Sequence, residues 1–296
     1  MSPQPPKTYL ITGTTSGIGL ALVKELLSQQ QNVIATGRNV SARFPPDLVS
    51  SHPNSLKLLE LDITSPLPTL QQKATEAWGL FPGGVDVLFN NAGMSAMKSC
   101  EEASEEYITQ MFNRERERGC GGVHLELNSL DPLPFMSHYA ASKAALSTYI
   151  ESLDKEVSGF GIKVVGFECG GCVTNLGQPR DTNHAAGLLE QQTETVYGEG
   201  LGRLVGMFMR DAMAYMPGDS AKVAKVMVET VEKLRKGEEK VPVRLVLGSD
   251  AWESVKQKVE ETGKVLETWR EVSWGTDREG VRGGAESDYL RAVSIL

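Results

Sequence analysis

A glycine-rich turn near the start of the chain constrains its fold more than any other feature. Residues 7–13 form a short apolar run that ends in glycine, and apolar residues then recur at helical spacing from Ile18 to Leu26. In such a turn, glycines let the backbone approach a pyrophosphate, and the helix N-terminus offers unpaired N–H groups. An ordinary tight turn is the alternative. The turn predicts a dinucleotide-binding α/β fold, with expected contacts from Gly13, Thr15, Ser16, Gly17, Ile18 and Gly19.

Apolar runs that can form strands alternate with helical stretches along most of the chain. After the first run they cover residues 32–36, 56–63, 86–90, 123–128, 162–167 and 244–247. This alternation is typical of βαβ units. It predicts a single doubly wound Rossmann-type α/β domain with a seven-stranded parallel sheet over residues 7–272. We expect a substrate lid at about 174–218, with ordinary helical core as the alternative, and a surface tail at 273–296.

Charge and composition exclude several classes of protein. The formal net charge of −8 would repel a nucleic-acid backbone, and no apolar run reaches the roughly 18 residues that span a bilayer. The start of the chain lacks a basic segment followed by an apolar one, so we expect a cytoplasmic protein.

Four cysteines are too few for a disulfide framework. Cys169 and Cys172 form a C-x-x-C pair, interpreted as a turn after a strand, with redox or metal chemistry as the alternative. We expect no metal site.

The residue after the second predicted strand bears on the choice of dinucleotide. NAD enzymes carry an acidic side chain near this point, which accepts hydrogen bonds from the adenosine ribose. This chain has Arg38 there, and a guanidinium can pair with the oxygens of a 2′-phosphate. Arg38 therefore favours NADP over NAD, although an arginine that points into water would give the same sequence.

A tyrosine and a lysine stand four residues apart near the start of the longest amphipathic helix. Tyr139 and Lys143 therefore project from one helix face. A tyrosine has a reference pKa of about 10, and a neighbouring ammonium favours its phenolate. The pair can exchange a proton with an alcohol or carbonyl oxygen.

Three motifs together resemble the short-chain dehydrogenase/reductase family. They are the TGTTSGIG turn, the segment Asn90-Asn91-Ala92-Gly93, and Tyr139-Ala-Ala-Ser-Lys143. Their order and approximate spacing agree with the family, and the resemblance extends from about Thr8 to Ala251. It implies hydride transfer between a nicotinamide and a carbonyl carbon, which interconverts a secondary alcohol and a ketone, or an alcohol and the corresponding aldehyde.

The same resemblance implies roles for individual residues. Tyr139 exchanges the proton of the substrate oxygen, and Lys143 supports it and holds the nicotinamide ribose. Asp62 contacts adenine, and Thr174 hydrogen-bonds the carboxamide. The segment that supports the cofactor includes Asn90, Ala92 and Gly93. The Met and Leu content of the predicted lid indicates an apolar small-molecule substrate.

The chain departs from the family between the NNAG segment and the tyrosine. Ser129 lies closer to Tyr139 than the family's catalytic serine does, and an ungapped count puts Glu126 in the serine's place. We expect Ser129 to be the catalytic serine because it follows the predicted fifth strand. A serine that only caps this strand is the alternative.

The helix before the fifth strand is also shorter than in the family. The sequence still predicts a helix here, with Ser104 as its N-cap and Gly119 at its C-terminal end. In the family, an asparagine in this region relays protons. This chain lacks the sequence motif that contains it, and Asn113 is at best a displaced substitute. This shortening places the family's helix-bundle dimer interface in doubt, although a homo-oligomer remains possible. The alternative function is therefore a protein of the same fold that binds a dinucleotide with impaired or no redox activity.

Overall fold

Seven strands form one parallel sheet within the described part of the chain. The computed structural model describes residues 5–93, 100, 103–109, 122–126, 136–172, 216–237 and 240–278. The strand order is β3-β2-β1-β4-β5-β6-β7. The strands are β1 (Thr8–Ile11), β2 (Asn32–Gly37), β3 (Leu56–Glu60), β4 (Val87–Asn90), β5 (Gly122–Glu126), β6 (Gly166–Cys169) and β7 (Arg244–Leu247). The predicted α/β class with a Rossmann-type sheet is confirmed.

Helices connect the strands. They are α1 (Gly17–Ser28), α2 (Val40–Arg43), α3 (Pro46–Ser51), α4 (Leu67–Trp78), α5 (residues 105–109), α6 (Ser137–Val157), α7 (Ser220–Lys236), α8 (Ser249–Thr268) and α9 (Arg270–Trp274). A 3-10 turn at Ser158–Phe160 follows α6. Within the described ranges no helix has both the length and the apolar character needed to cross a membrane.

Alternate residues of β2 show how both faces of the sheet are covered. Val33 and Ala35 belong to the large core that includes α1 and α7. Ile34 points to the opposite face and packs in a second core with Ala77 of α4. Successive side chains of a strand point to opposite faces, so a strand covered on both sides is apolar throughout. This explains why the sequence shows a continuous apolar run here.

Several boundaries differ from the sequence prediction, among them the end of β3, expected at residue 63 and found at Glu60. The sixth strand was expected at residues 162–167 and lies at Gly166–Cys169 instead. Its pairing with β5 and β7 begins only at Gly166, and an apolar run does not reveal where such a ladder starts. The sequence run that begins at Ser220 predicts a serine cap for α7, but the N-cap is Asp219, whose carboxylate accepts from the N–H groups of Ala221 and Lys222.

The C-terminal part of the described chain is helical beyond the expected end of the domain. Helix α9 extends to Trp274, past the predicted start of the tail at residue 273. The rest of the tail, residues 279–296, lies outside the described residues. The domain boundaries remain predictions.

Candidate functional site

The glycine turn packs so closely against its neighbours that side chains would not fit. Gly13 has φ of +71°, and a Cβ there would lie 2.7 Å from the Cα of Ala92. A Cβ at Gly19 would lie 2.2 Å from the carbonyl oxygen of Gly13. Gly17 also has a positive φ, of 58°. Glycine is required here because the backbones of the β1–α1 turn and of the segment after β4 touch.

Asn91, which follows β4, fixes the glycine turn by hydrogen bonds. Its Nδ2 donates to the carbonyl oxygens of Thr12 at 2.9 Å and Gly13 at 3.1 Å. Thr12 Oγ1 in turn accepts from the N–H groups of Asn91 at 3.0 Å and Ala92 at 2.9 Å. Sequence reasoning placed Asn90, Ala92 and Gly93 at this site and gave Asn91 no role. Asn91 is the second asparagine of the NNAG motif, so the motif itself could have indicated its role.

The N-terminus of α1 offers room and polarity for an anion. Ser16 is its N-cap residue, in an extended conformation, and its side chain makes no capping hydrogen bond. The first turn contains no acidic residue that would offset the positive end of the helix dipole. Together with the glycine cradle, these features fit the pyrophosphate of a dinucleotide.

Arg38 lies directly after β2 and is exposed to solvent. The turn that carries it is held by Glu60 at the end of β3. The Glu60 carboxylate accepts from the N–H groups of Val40 at 3.0 Å and Ser41 at 2.9 Å. The Ser41 N–H and the further hydrogen bonds at this turn outweigh burial and lower the pKa of Glu60. Its carboxylate is thus directed at the turn backbone.

Asp62, expected to contact adenine, is half-buried just beyond β3. Its Oδ1 accepts from the backbone N–H of Thr64 at 2.9 Å and from Thr64 Oγ1 at 2.8 Å. This bonding fixes the carboxylate in a turn at the same edge of the sheet as Arg38. Asn90, the last residue of β4, is buried at that edge.

Tyr139 and Lys143 lie together in the first turns of α6, as their spacing predicted. Both residues are buried, at 1% exposure each. The Lys143 Nζ lies 5.3 Å from the centroid of the Tyr139 ring, and the hydroxyl oxygen of Tyr139 is also buried. A lysine side chain is almost never fully buried unless it is paired with another polar or charged group. Because Lys143 and Tyr139 are adjacent and both buried, they are a candidate catalytic pair rather than two surface residues in contact with water.

A polar network fixes α6 on the sheet. Glu168 of β6 is buried and accepts from Ser147 Oγ of α6 at 3.2 Å and from Arg244 Nε of β7 at 2.7 Å. The same Arg244 donates to Glu151 of α6 at 2.9 Å. The network joins α6 to β6 and β7, so it helps to position the helix that carries Tyr139.

The turn after β6 is the C-x-x-C segment. The N–H of Gly171 donates to Asp250 Oδ2 at 2.7 Å, and Cys172 forms a parallel bridge with Gly218. Neither Cys169 nor Cys172 takes part in a disulfide bond. No group of three potential metal-ligating side chains occurs in the described ranges. The bridge places Cys172, which precedes the predicted lid, beside Gly218, the last residue of that lid.

Several predicted site residues lie outside the described residues: Ser129, Thr174, Asn113 and most of the predicted lid. The start of the short helix is described. Ser104 Oγ accepts from the N–H of Tyr107 at 3.2 Å, which is the expected cap of α5. The Nε2 of His138, the neighbour of Tyr139, is buried and has no hydrogen-bond partner among the described residues.

The family described as short chain dehydrogenase has a sequence model that matches this chain. The match covers residues 7–115 and 127–185, more than half of the chain. It is interrupted between these two segments, where the helix before β5 was expected to be short.

Individual proteins similar to this chain agree with that match. A crystal structure of a short-chain dehydrogenase from Streptomyces avermitilis is 30% identical, with a TM-score of 0.73 over 94% of this chain and 100% of that chain. An uncharacterized oxidoreductase of Schizosaccharomyces pombe is 28% identical over 280 residues, 88% of each protein. The NADPH-dependent 1-acyldihydroxyacetone phosphate reductase of Saccharomyces cerevisiae is 28% identical over 193 residues, 60% of this chain and 65% of that protein.

Proposed function

The chain belongs to the short-chain dehydrogenase family, as its motifs predicted, and from this premise we propose that it is an NADP(H)-dependent oxidoreductase interconverting a secondary alcohol and a ketone. The observation that carries the proposal is the buried pair on α6, where the Lys143 ammonium lies against the Tyr139 ring. The similarity to known oxidoreductases supports the reaction class.

In this proposal Tyr139 is the acid–base residue. Its hydroxyl gives a proton to the carbonyl oxygen during reduction and takes one from the alcohol during oxidation. Lys143 favours the phenolate because its positive charge is close and poorly screened at this depth. Ser129 donates a hydrogen bond to the substrate oxygen.

The residues of the glycine turn hold the dinucleotide. The turn at Gly13 and the N-terminus of α1 receive the pyrophosphate, because the glycines of the turn carry no side chain and no acidic residue offsets the helix dipole in the first turn. Asp62 contacts adenine, Asn90 lies in the segment that supports the cofactor, and Thr174 binds the carboxamide. A bound nicotinamide supplies or accepts the hydride.

Arg38 sets the preference for the phosphorylated dinucleotide. It is exposed at the end of β2, and the neighbouring Glu60 carboxylate is engaged by backbone N–H groups. A guanidinium there can pair with a 2′-phosphate. The yeast relative that is named for its NADPH dependence supports the same choice.

The experiment compares Tyr139→Phe with Tyr149→Phe, a half-exposed tyrosine on the same helix. NADPH binding is followed by fluorescence, and turnover is measured on a panel of ketones and aldehydes. We expect Tyr139→Phe to bind NADPH as the wild type does and to lose at least about 100-fold in turnover. Tyr149→Phe should retain both properties. Equal turnover in the two variants, or no binding of NADPH by the wild type, would contradict the proposal.

Arg38→Ala tests the cofactor preference, with the exposed Arg43→Ala in α2 as its control. Loss of charged hydrogen bonds should weaken NADPH binding by about 10- to 100-fold and leave NADH binding unchanged. If NADPH and NADH lose affinity equally, Arg38 does not read the 2′-phosphate.

A second candidate is a protein that binds the dinucleotide without appreciable turnover. The interruption of the family match between residues 115 and 127 favours it, because the chain departs from the family between Asn113 and Ser129, the candidates for the relay asparagine and the catalytic serine. Wild-type NADPH binding without turnover on any tested carbonyl compound would support this alternative over the first proposal.

A further inference from the structure

The turn after β6 encloses the carboxylate of Asp250, in a space that its glycines leave open. Asp250 lies in the first turn of α8, and its Oδ2 accepts from the N–H of Gly171 at 2.7 Å. A Cβ at Gly170 would lie 2.0 Å from Oδ1, and a Cβ at Gly248 would lie 2.7 Å from the same atom. A side chain at either position would therefore push the carboxylate out of the turn.

The helix alone does not explain where the Asp250 carboxylate lies. The helix dipole favours a negative charge in the first turn, but an exposed carboxylate has the same benefit. The Oδ1 of Asp250 is instead buried and has no hydrogen-bond partner within the described ranges. Burying an oxygen in this way costs free energy. The hydrogen bond from Gly171 is the described contact that offsets this cost.

A series of hydrogen bonds continues from Asp250 across the turn. The carbonyl oxygen of Gly171 accepts from the N–H of Gly218 at 2.9 Å, and the N–H of Gly170 donates to the carbonyl oxygen of Leu247 at 2.8 Å. Glycine has the greatest backbone freedom of all residues, so these two positions depend on such bonds for a fixed conformation. The Asp250 side chain thus fixes a turn that would otherwise be free to move.

This turn lies at the carboxyl edge of the sheet, close to the start of α6. Cys169, the last residue of β6, is aligned with Glu126 of the neighbouring β5. A helix that connects two parallel strands begins at their carboxyl edge, and Tyr139 is in the first turn of α6. Ligands of such sheets bind in the crevice outside this edge. In the strand order, β6 and the strand that precedes Arg38 lie on opposite sides of β1. A dinucleotide whose adenosine lies near Arg38 and whose nicotinamide reaches Tyr139 therefore has the turn after β6 beside its nicotinamide half.

We propose that Asp250 is a positioning residue for the nicotinamide half of the bound dinucleotide. It acts through the N–H of Gly171, which it holds so that the turn after β6 keeps the shape against which the nicotinamide half binds. The inference rests on the proposed function, because it takes the dinucleotide as the ligand. Without the carboxylate, the nicotinamide half loses a fixed wall, whereas the adenosine half remains bound at Arg38 and the glycine turn.

The first experiment measures the two halves of the ligand separately by calorimetry. It compares NADPH with 2′-phospho-ADP-ribose, which lacks the nicotinamide, in the wild type, Asp250→Ala and Glu253→Ala. Glu253 is an exposed acidic residue of α8, so its variant removes the same charge from the same helix. We expect Asp250→Ala to weaken NADPH binding about 10-fold and 2′-phospho-ADP-ribose binding less than about 2-fold. Glu253→Ala should change neither affinity.

The second experiment uses Asp250→Asn, which has nearly the shape of the wild type and tests the proposal even where the alanine variant does not fold. Its amide oxygen can still accept from the N–H of Gly171. Charged hydrogen bonds are about twice as strong as neutral ones, so we expect NADPH binding to weaken by about 3-fold, with 2′-phospho-ADP-ribose binding unchanged. Melting temperatures of all variants are measured alongside.

The outcomes separate this inference from the proposed function. Equal weakening of the two ligands, as a general loss of stability would give, overturns the inference and leaves NADPH as the ligand. Unchanged NADPH binding in Asp250→Ala, or an asparagine variant that binds NADPH no better than the alanine variant, overturns it as well. A wild type that binds neither ligand overturns the proposed function and this inference with it.

Discussion

Two glycine turns at the same edge of the sheet are built alike, yet the sequence explains the need for glycine in only one of them. In the turn after β1, a Cβ at Gly19 would lie 2.2 Å from a backbone oxygen, and Asn91 fixes the backbone. In the turn after β6, a Cβ at Gly170 would lie 2.0 Å from Asp250 Oδ1, and Asp250 accepts from Gly171. In both turns one polar side chain from another segment fixes a backbone that glycine allows to approach.

The difference lies in what surrounds each glycine. A Cβ at Gly19 would meet the carbonyl oxygen of Gly13 in its own turn as well as the Asn91 side chain, so part of the requirement for glycine follows from the local spacing of the motif. Gly170 faces the carboxylate of Asp250, which reaches it from the start of α8. A local motif can be read along the chain, whereas a contact between distant segments is created only by folding.

The largest effect is expected from Gly19→Ala. Its new Cβ would meet the carbonyl oxygen of Gly13, which cannot move without opening the turn. We expect a loss of about 3 kcal/mol or more in the free energy of unfolding, together with loss of NADPH binding. Denaturant unfolding measures the first quantity. The control is Gly159→Ala, where a Cβ meets nothing within 4 Å. A Gly19→Ala protein as stable as this control would show that the turn has room for a side chain.

Gly170→Ala should have a smaller effect that a second substitution relieves. The Asp250 carboxylate can swing away, at the expense of its hydrogen bond from Gly171, so we expect a loss of about 2 kcal/mol. In an Asp250→Ala background the same alanine should have little effect, and the double-mutant cycle measures this coupling. Strict additivity would mean that the turn after β6 does not depend on Asp250.

The smallest effect concerns a third turn at this edge, the one after β2, which Glu60 holds. Because folding lowers the pKa of Glu60, its contribution is present above the unfolded pKa and is lost as the pH falls through the folded pKa. The difference in melting temperature between wild type and Glu60→Gln should therefore shrink between roughly pH 5 and pH 3. The difference should be small even at neutral pH, because Glu60 is exposed and solvent screens it. A difference that does not change with pH would exclude the carboxylate charge as its source.

Much of the site could be predicted because its signals are local. The strand, glycine turn and helix at the N-terminus follow from apolar spacing and glycine positions, and the shared face of Tyr139 and Lys143 follows from helix periodicity. Asn91 was missed because its role depends on β4 lying beside β1, a pairing of distant strands. The start of β6 was misplaced for the same reason, since the ladder with β5 and β7 defines it.

The sequence by itself determined the fold class, the glycine turn and the pair on α6, because each depends on residues a few positions apart. Only the tertiary structure decided how deeply Lys143 is buried, which carboxylate fixes the turn after β6, and which face of α8 remains uncovered. An amphipathic pattern states that a helix has an apolar side, but what covers that side depends on segments far away in the chain. In α1 the core of the sheet covers it, and in α8 the described chain does not.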